Sequence, residues 1–426
     1  MKIRIFLIFC LSFLVVACGP RQRQDFIWND ISPRAIEETG EVYKVRAAVF
    51  LPFSGKSRTI GNAFRNAAMM ALQEQDNSVL ELLFFDTKGT DVGTRMAWEE
   101  ARYQNPDIVI GPITATEVAT IADESPNAPV LSFTTDNTVL EGHIYTLGIL
   151  IPNQIDYLVR HMCQNNQRKI AVIGPENKTG EIVMNHLMQV VNRCPDMTVD
   201  KIALYTPETT NFNETVLKIV PKPIDPKKKN LTEEEKILLE TPIEERIDFD
   251  ALLVYEDGVK LQQVISLLAY YDVTPKVVPI YGLANWQSSR DKTLVNSYFP
   301  TTPTERSDLF TKRYTQIFGA PPPRISSLAY DAVSLIAHLA KHKALTTGNL
   351  TQEKGFNGVN GRFRLLSDGT NERLLEIRQF QPGLRQKIID PVPDTFLDKE
   401  SYFVEPEPDL AETEFFFGST DNTSLE

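Results

Sequence analysis

From Val45 onward, short apolar runs alternate with amphipathic segments of helical period. That alternation restricts the chain to an α/β architecture. V-R-A-A-V-F-L-P-F (45–53) reads as a buried strand. Ile60, Ala63, Phe64, Ala67 and Ala71 then fall on one face at a spacing of about 3.6 residues. L-E-L-L-F-F-D is a second strand, Thr94 to Arg102 a helix and P-D-I-V-I-G-P a third strand. A helix from Ala115 to Ile121 leads into P-V-L-S-F-T-T. This order predicts a parallel sheet with helices on both faces.

The rhythm then restarts. Ile155 to Cys163, Gly180 to Val191 and Leu261 to Tyr270 read as helices between the strands R-K-I-A-V-I-G-P, K-I-A-L-Y, D-F-D-A-L-L-V-Y and K-V-V-P-I-Y-G. Ile325 to His342 is a long helix, and G-R-F-R-L-L-S-D-G-T-N-E-R-L-L-E-I-R-Q-F a hairpin around Asp368-Gly369. Residues 221–247 interrupt the second block with charged sequence. Thr232 followed by Glu233 to Glu235 marks a helix start inside a solvated insertion, and a partner-binding protrusion is the alternative. With 426 residues, 42% of them hydrophobic, the chain can build two cores.

The first twenty residues bear on the compartment. Lys2 and Arg4 precede the apolar run Ile5 to Val16, which is short for a bilayer span, and Val15-Val16-Ala17-Cys18 has the form of a bacterial lipobox. Cys18 is then the lipid attachment site, and residues 19–43 are a polar linker reaching roughly 80 Å when extended. Gly19 leans the anchor toward the outer membrane. In an oxidising compartment the remaining Cys163 and Cys194 are a candidate disulfide or two buried thiols. Net charge is −12, but from Asp390 onward eleven acidic residues face one lysine, so the rest carries only −2. No basic surface for nucleic acid is indicated.

Enzymatic motifs are missing. Gly55-Lys56-Ser57 resembles the end of a phosphate loop, but the glycine required five positions earlier is Phe50. His338 and His342 have zinc-helix spacing, yet Leu339 stands where a metalloprotease needs Glu. No G-x-S-x-G elbow occurs. No catalytic residue, metal or cofactor is expected. Small hydroxyl residues do collect at strand ends: Ser54-Gly55, Thr114-Ala115 and Ser132 to Asp136. Open parallel sheets bind ligands outside these ends, so Ser54, Gly55, Thr114, Ala115, Ser132, Thr134 and Thr135 are candidates for a cleft. As caps and turn residues they serve equally well.

The succession F-S-G, D-I-V-I-G-P, P-V-L-S-F-T-T-D, R-K-I-A-V-I-G-P, L-A-Y-D-A-V-S-L-I-A and G-V-N-G-R-F-R-L-L-S-D-G-T resembles the type I periplasmic solute-binding proteins over about residues 45–390. Within them, L-S-F-T-T-D, F-D-A-L-L-V, L-L-A-Y-Y-D-V and A-P-P-P-R-I-S-S-L-A-Y-D-A-V are most similar to the penicillin-binding-protein activator lipoproteins. The resemblance implies two α/β lobes joined by three crossovers around a cleft. Lobe one takes residues 44–151 and about 275–345, and lobe two 152–274 and about 346–390. A signal peptide (1–17), anchor and linker (18–43) and acidic tail (391–426) flank them. Relative to amino-acid receptors of that superfamily, Ala115 replaces a serine, Thr179-Gly180 a Tyr-Gly pair, and Tyr281-Gly282-Leu283-Ala284 lacks an acid, for which Glu256 or Asp257 can stand in.

The implied role is a non-enzymatic envelope lipoprotein that activates a periplasmic peptidoglycan synthase. The alternative is a receptor feeding an amino acid or similar small polar solute to an ABC transporter, with Ser54, Thr114, Thr134 and Thr135 facing Thr179 and Glu256.

Overall fold

The computed structural model describes residues 44–75, 78–124, 126–221, 223–224 and 230–397. The signal peptide, Cys18, the linker to residue 43 and the tail beyond 397 lie outside the described residues.

The chain begins with β1 (Val45–Leu51), α1 (Arg58–Gln75), β2 (Leu80–Asp86), α2 (Asp91–Ala101), β3 (Ile108–Ile110), α3 (Ala115–Asp123), β4 (Val130–Ser132) and β5 (Ile144–Thr146). These strands form one parallel sheet in the order β2-β1-β3-β4-β5. Successive residues of β1 serve opposite faces, as the pleat requires. Val45, Ala47, Val49 and Leu51 pack with Phe64 and Ala67 of α1. Ala48 and Phe50 pack with Trp98 of α2 and Val118 of α3.

After Gly148 the chain enters the second lobe with α4 (Ile151–Gln164), β6 (Lys169–Pro175), α5 (Lys178–Val190), β7 (Thr198–Tyr205) and α6 (Asn213–Val216). Then come α7 (Glu233–Glu240), α8 (Ile243–Arg246), β8 (Ala251–Val254), α9 (Gly258–Tyr270), β9 (Ile280–Tyr281) and β10 (Tyr298–Thr301). Ile170 and Val172 pack on the α4–α5 side, whereas Ala171 and Ile173 face Val264 and Leu268 of α9. Cys163 and Cys194 form a disulfide that ties α4 to the approach to β7. In the insertion, Thr232 and Glu235 cap α7 reciprocally, and no α7 residue is buried.

The remaining elements are α10 (Glu305–Phe318), α11 (Ser327–Lys341), α12 (Thr347–Leu350), β11 (Phe356–Gly358), β12 (Gly361–Leu365), β13 (Asn371–Arg373), β14 (Glu376–Gln381) and β15 (Arg385–Asp390). Phe310, Leu335, Leu350, Phe356 and Phe363 all join the core of the first lobe. By contrast, β14 and β15 close the second sheet, ordered β15-β14-β10-β9-β8-β6-β7, by antiparallel pairing. The chain therefore crosses between lobes three times, at 147–150, 302–304 and 374–375.

These placements correct the expected lobe assignment. Residues 275–301 belong to the second lobe, because β9 and β10 extend its sheet. Residues 346–373 belong to the first, because β11 to β13 form a small antiparallel sheet whose Phe356 and Phe363 pack on its core. The expected strand at K-V-V-P-I-Y-G shrinks to Ile280–Tyr281.

Candidate functional site

The β1–α1 turn is wound around a carboxylate. Asp86, the last residue of β2, accepts hydrogen bonds from the backbone N–H groups of Phe53 (2.8 Å), Ser54 (3.2 Å) and Lys88 (2.9 Å) and from Ser54 Oγ (2.6 Å). Burial pushes the Asp86 carboxyl up, but the bonds from Ser54, Lys88 and Phe53 outweigh it and hold it below the ordinary value. Gly55 has φ 73°, and a Cβ there would approach Lys88 O to 2.9 Å, so only glycine suits the turn. The amides that a phosphate would need are thus already engaged by the chain's own anion.

The other first-lobe candidates are similarly engaged. Thr114 caps α3: its N–H and Oγ donate to Glu117 Oε2 at 3.1 and 2.7 Å, and Glu117 Oε1 accepts from Thr87 Oγ1 at 2.5 Å. Ala115 opens the helix, half-buried. Ser132 is fully buried and donates to Tyr145 O at 3.0 Å, so it presents nothing to a crevice. Buried Thr134 accepts the Asp136 N–H at 3.0 Å, while Thr135 is exposed.

On the second lobe, Thr179 is half-buried in the first turn of α5. Glu256, just past β8, accepts the Tyr205 hydroxyl and the Asp257 N–H (2.9 Å). Burial raises the Tyr205 pKa, and the hydrogen bond to Glu256 raises it further. Behind this wall lie two rings that no strand-end motif announced. A Cβ on Gly174 would come within 2.3 Å of the Tyr255 ring, and one on Gly282 within 2.0 Å of the Trp286 ring. Trp286 Nε1 donates to Glu256 O at 2.8 Å. Asn285 Nδ2 donates to Asp257 Oδ2 at 2.9 Å, which commits the second stand-in acid as well.

One contact joins the two walls. Lys178 Nζ of α5 lies 2.5 Å from Asp136 Oδ2, in the loop after β4, and 3.2 Å from Thr138 Oγ1. The carboxyl ends of the two sheets therefore face one another. Asp136 was readable in T-T-D as a turn residue, but nothing in the sequence indicated its partner. Burial pushes its carboxyl up, and hydrogen bonds from Lys178 and Thr138 bring it below the ordinary range. Among the described residues, no cluster of three or more His, Cys, Asp or Glu could hold a metal ion.

Two sheets built on parallel strands, with their carboxyl ends facing each other and the chain crossing between them three times, define a two-lobed binding-protein architecture. A family model described as "Periplasmic binding protein" matches residues 44–381, and the chain belongs to that family. No curated protein matches it in sequence. Among solved structures, a putative branched-chain amino acid ABC transporter protein from Rhodospirillum rubrum is similar at 15% identity and TM-score 0.64, over 81% of this chain and 100% of that one. LivJ of Streptococcus pneumoniae, a branched-chain amino acid transporter substrate binding protein in complex with isoleucine, shows 17% identity and TM-score 0.54 over 82% and 100%. A solute binding protein from R. palustris in complex with benzoate shows 13% and 0.54 over 84% and 99%. These likenesses concern the fold. The family implies a periplasmic location, and no helix among the described residues is long and apolar enough to cross a membrane.

Proposed function

We propose that the chain is a non-enzymatic periplasmic receptor that holds a small polar solute between its lobes for an ABC transporter, tethered to the outer membrane through Cys18. The observation carrying this reading is the Asp136–Lys178 contact, which sets the carboxyl ends of both sheets against each other where α/β proteins bind ligands. The family match and the transporter proteins among the structural neighbours support it. A thermal-shift screen of the body from about Asp25 tests it, with amino acids, aromatic carboxylates, short peptides and wall fragments. A solute at ~100 times its Kd should add about 2.7 kcal/mol of stability. No shift with any solute removes the receptor reading.

A second reading is favoured by a different observation. Ser54, Thr114, Ser132, Thr134 and Glu256 are all committed to internal hydrogen bonds, and Tyr255 and Trp286 fill the second wall. A crevice so satisfied suits a scaffold that activates a peptidoglycan synthase. Its test is binding of the body to a purified synthase, with and without residues 221–247.

A further inference from the structure

The contact between the lobes is built asymmetrically. Asp136 Oδ1 accepts the Thr138 N–H at 3.0 Å and Thr138 Oγ1 at 2.6 Å, bonds within its own loop. Neither bond crosses between the lobes, and together they hold the carboxylate with Oδ2 left for Lys178. Its side chain is 13% exposed. The partner is the opposite kind of group: Lys178 is 59% exposed and sits in the first turn of α5, immediately after the N-cap Asn177, whose Oδ1 accepts the Gly180 N–H at 2.9 Å. A flexible ammonium on a fixed helix end meets a prepositioned carboxylate. Both Asp136 Oδ2 and Thr138 Oγ1 receive the same Nζ.

We propose that Asp136 and Lys178 form a latch that biases the two lobes toward the closed arrangement in the absence of any ligand. Each half belongs to one lobe, so the pair acts directly on the opening equilibrium, alongside the three crossovers and the contacts of Arg362 and Arg364 with Asp394 and Phe396 beyond β15. The carboxylate needs little ordering because Thr138 already holds it, which removes part of the entropic cost that makes most exposed pairs ineffective. The latch acts on the lobes themselves and holds under either reading of the crevice.

The test is a distance distribution between spin labels on the full chain, with Cys10 and Cys18 changed to Ser. Tyr103→Cys on the first lobe and Tyr270→Cys on the second are both strongly exposed and far along the chain from the pair. Without ligand at low salt, Lys178→Gln and Asp136→Asn should each raise the open-to-closed ratio roughly two- to fivefold. Asparagine retains an acceptor for Thr138. The double variant should go no further than either single one, because both remove the same interaction. Raising the salt to about 0.5 M should move the unmutated chain toward the variants and leave the variants unmoved. Distributions that superimpose for all four chains, or single effects that add in the double variant, overturn the latch.

Discussion

The disulfide offers the most direct quantitative test of how the second lobe is held. Cys163 and Cys194 are separated by 31 residues, and both are buried. The loop they close contains the end of α4, β6 and all of α5, elements that carry Lys178 and contribute Ile170, Val172, Val183 and Leu187 to the second lobe's core. In the chain-entropy description, cross-linking removes about 2.1 + 1.5R ln n cal/mol/K from the unfolded chain. For this loop the result is roughly 12 cal/mol/K, or about 3.7 kcal/mol at 25 °C. At about 2.1 cal/mol/K per residue, a body spanning residues 44–381 has an unfolding entropy near 0.7 kcal/mol/K. Reduction should therefore lower Tm by about 5 °C where the lobes unfold together. Scanning calorimetry of the oxidised and reduced protein measures this without changing a side chain. Cys163→Ala/Cys194→Ala serves as the control and should melt at a temperature indifferent to reductant. A reduced protein melting within about 1 °C of the oxidised one would refute the reasoning, since the constraint would then be redundant with packing already present in the unfolded ensemble.

Two further outcomes follow from charges the fold encloses. Asp331 of α11 and Arg373 of β13 are both fully buried. Asp331 Oδ1 accepts the Val359 N–H at 2.6 Å, and Arg373 Nη2 donates to Leu147 O at 2.9 Å while its guanidinium lies 4.7 Å from the Phe363 ring. The two are not hydrogen-bonded to each other; burial lowers the Arg373 pKa, and the Asp331 charge partly offsets that at longer range. Asp331→Asn disturbs its bonds to Val359 and Asn360 and should cost about 1–3 kcal/mol in urea unfolding, and Asp331→Asn/Arg373→Met should cost less than the two single changes summed. The second outcome concerns pH. Asp86 and Asp136 are held below their ordinary 3.8 in the folded chain, so each contributes stability that is present above that value and lost as pH falls through the lowered one. Tm should fall steeply below about pH 4, and Asp86→Asn should flatten that fall while lowering Tm at pH 6; an unchanged profile would remove Asp86 from the account.

The layered α/β body was legible because its signal is periodic and local. β1 after Arg46, β6 after Lys169 and the whole of β8 are apolar runs, and α1 and α11 keep a helical stripe. The lobe boundaries were not legible, because strand membership is decided by pairing across long separations. Tyr298–Thr301 contains Pro300 and carries no strand signature alone; it becomes a strand by lying between Ile280–Tyr281 and Glu376–Gln381. Hydroxyl residues at strand ends could be listed from the sequence, but their commitments could not. Ser54 is 32 residues from Asp86, Tyr205 is 51 from Glu256, and Lys178 is 40 from Thr138. Each pair meets only after the sheets have aligned their carboxyl ends. The same limit explains Gly55-Lys56-Ser57, whose glycine serves a turn closed by Asp86.

Those commitments bear directly on which solute the crevice can take. An α-ammonium needs a carboxylate with open acceptor positions, since burying it unpaired is costly. Glu256 already accepts Tyr205 and the Asp257 N–H, and Asp257 already accepts Asn285. An amino acid must therefore share or break these bonds, whereas a carboxylate with an apolar body need only compete with Asp136 for Lys178 or use the exposed Thr135. Tyr255 and Trp286, buried behind the acids, add no further charge that could pair with an ammonium. If the chain is a receptor, aromatic or aliphatic monocarboxylates should shift its Tm more than the corresponding amino acids in the same screen. The reverse order would mean that Tyr205 releases Glu256 on binding, and Tyr205→Phe would then strengthen amino-acid binding by freeing the carboxylate in advance.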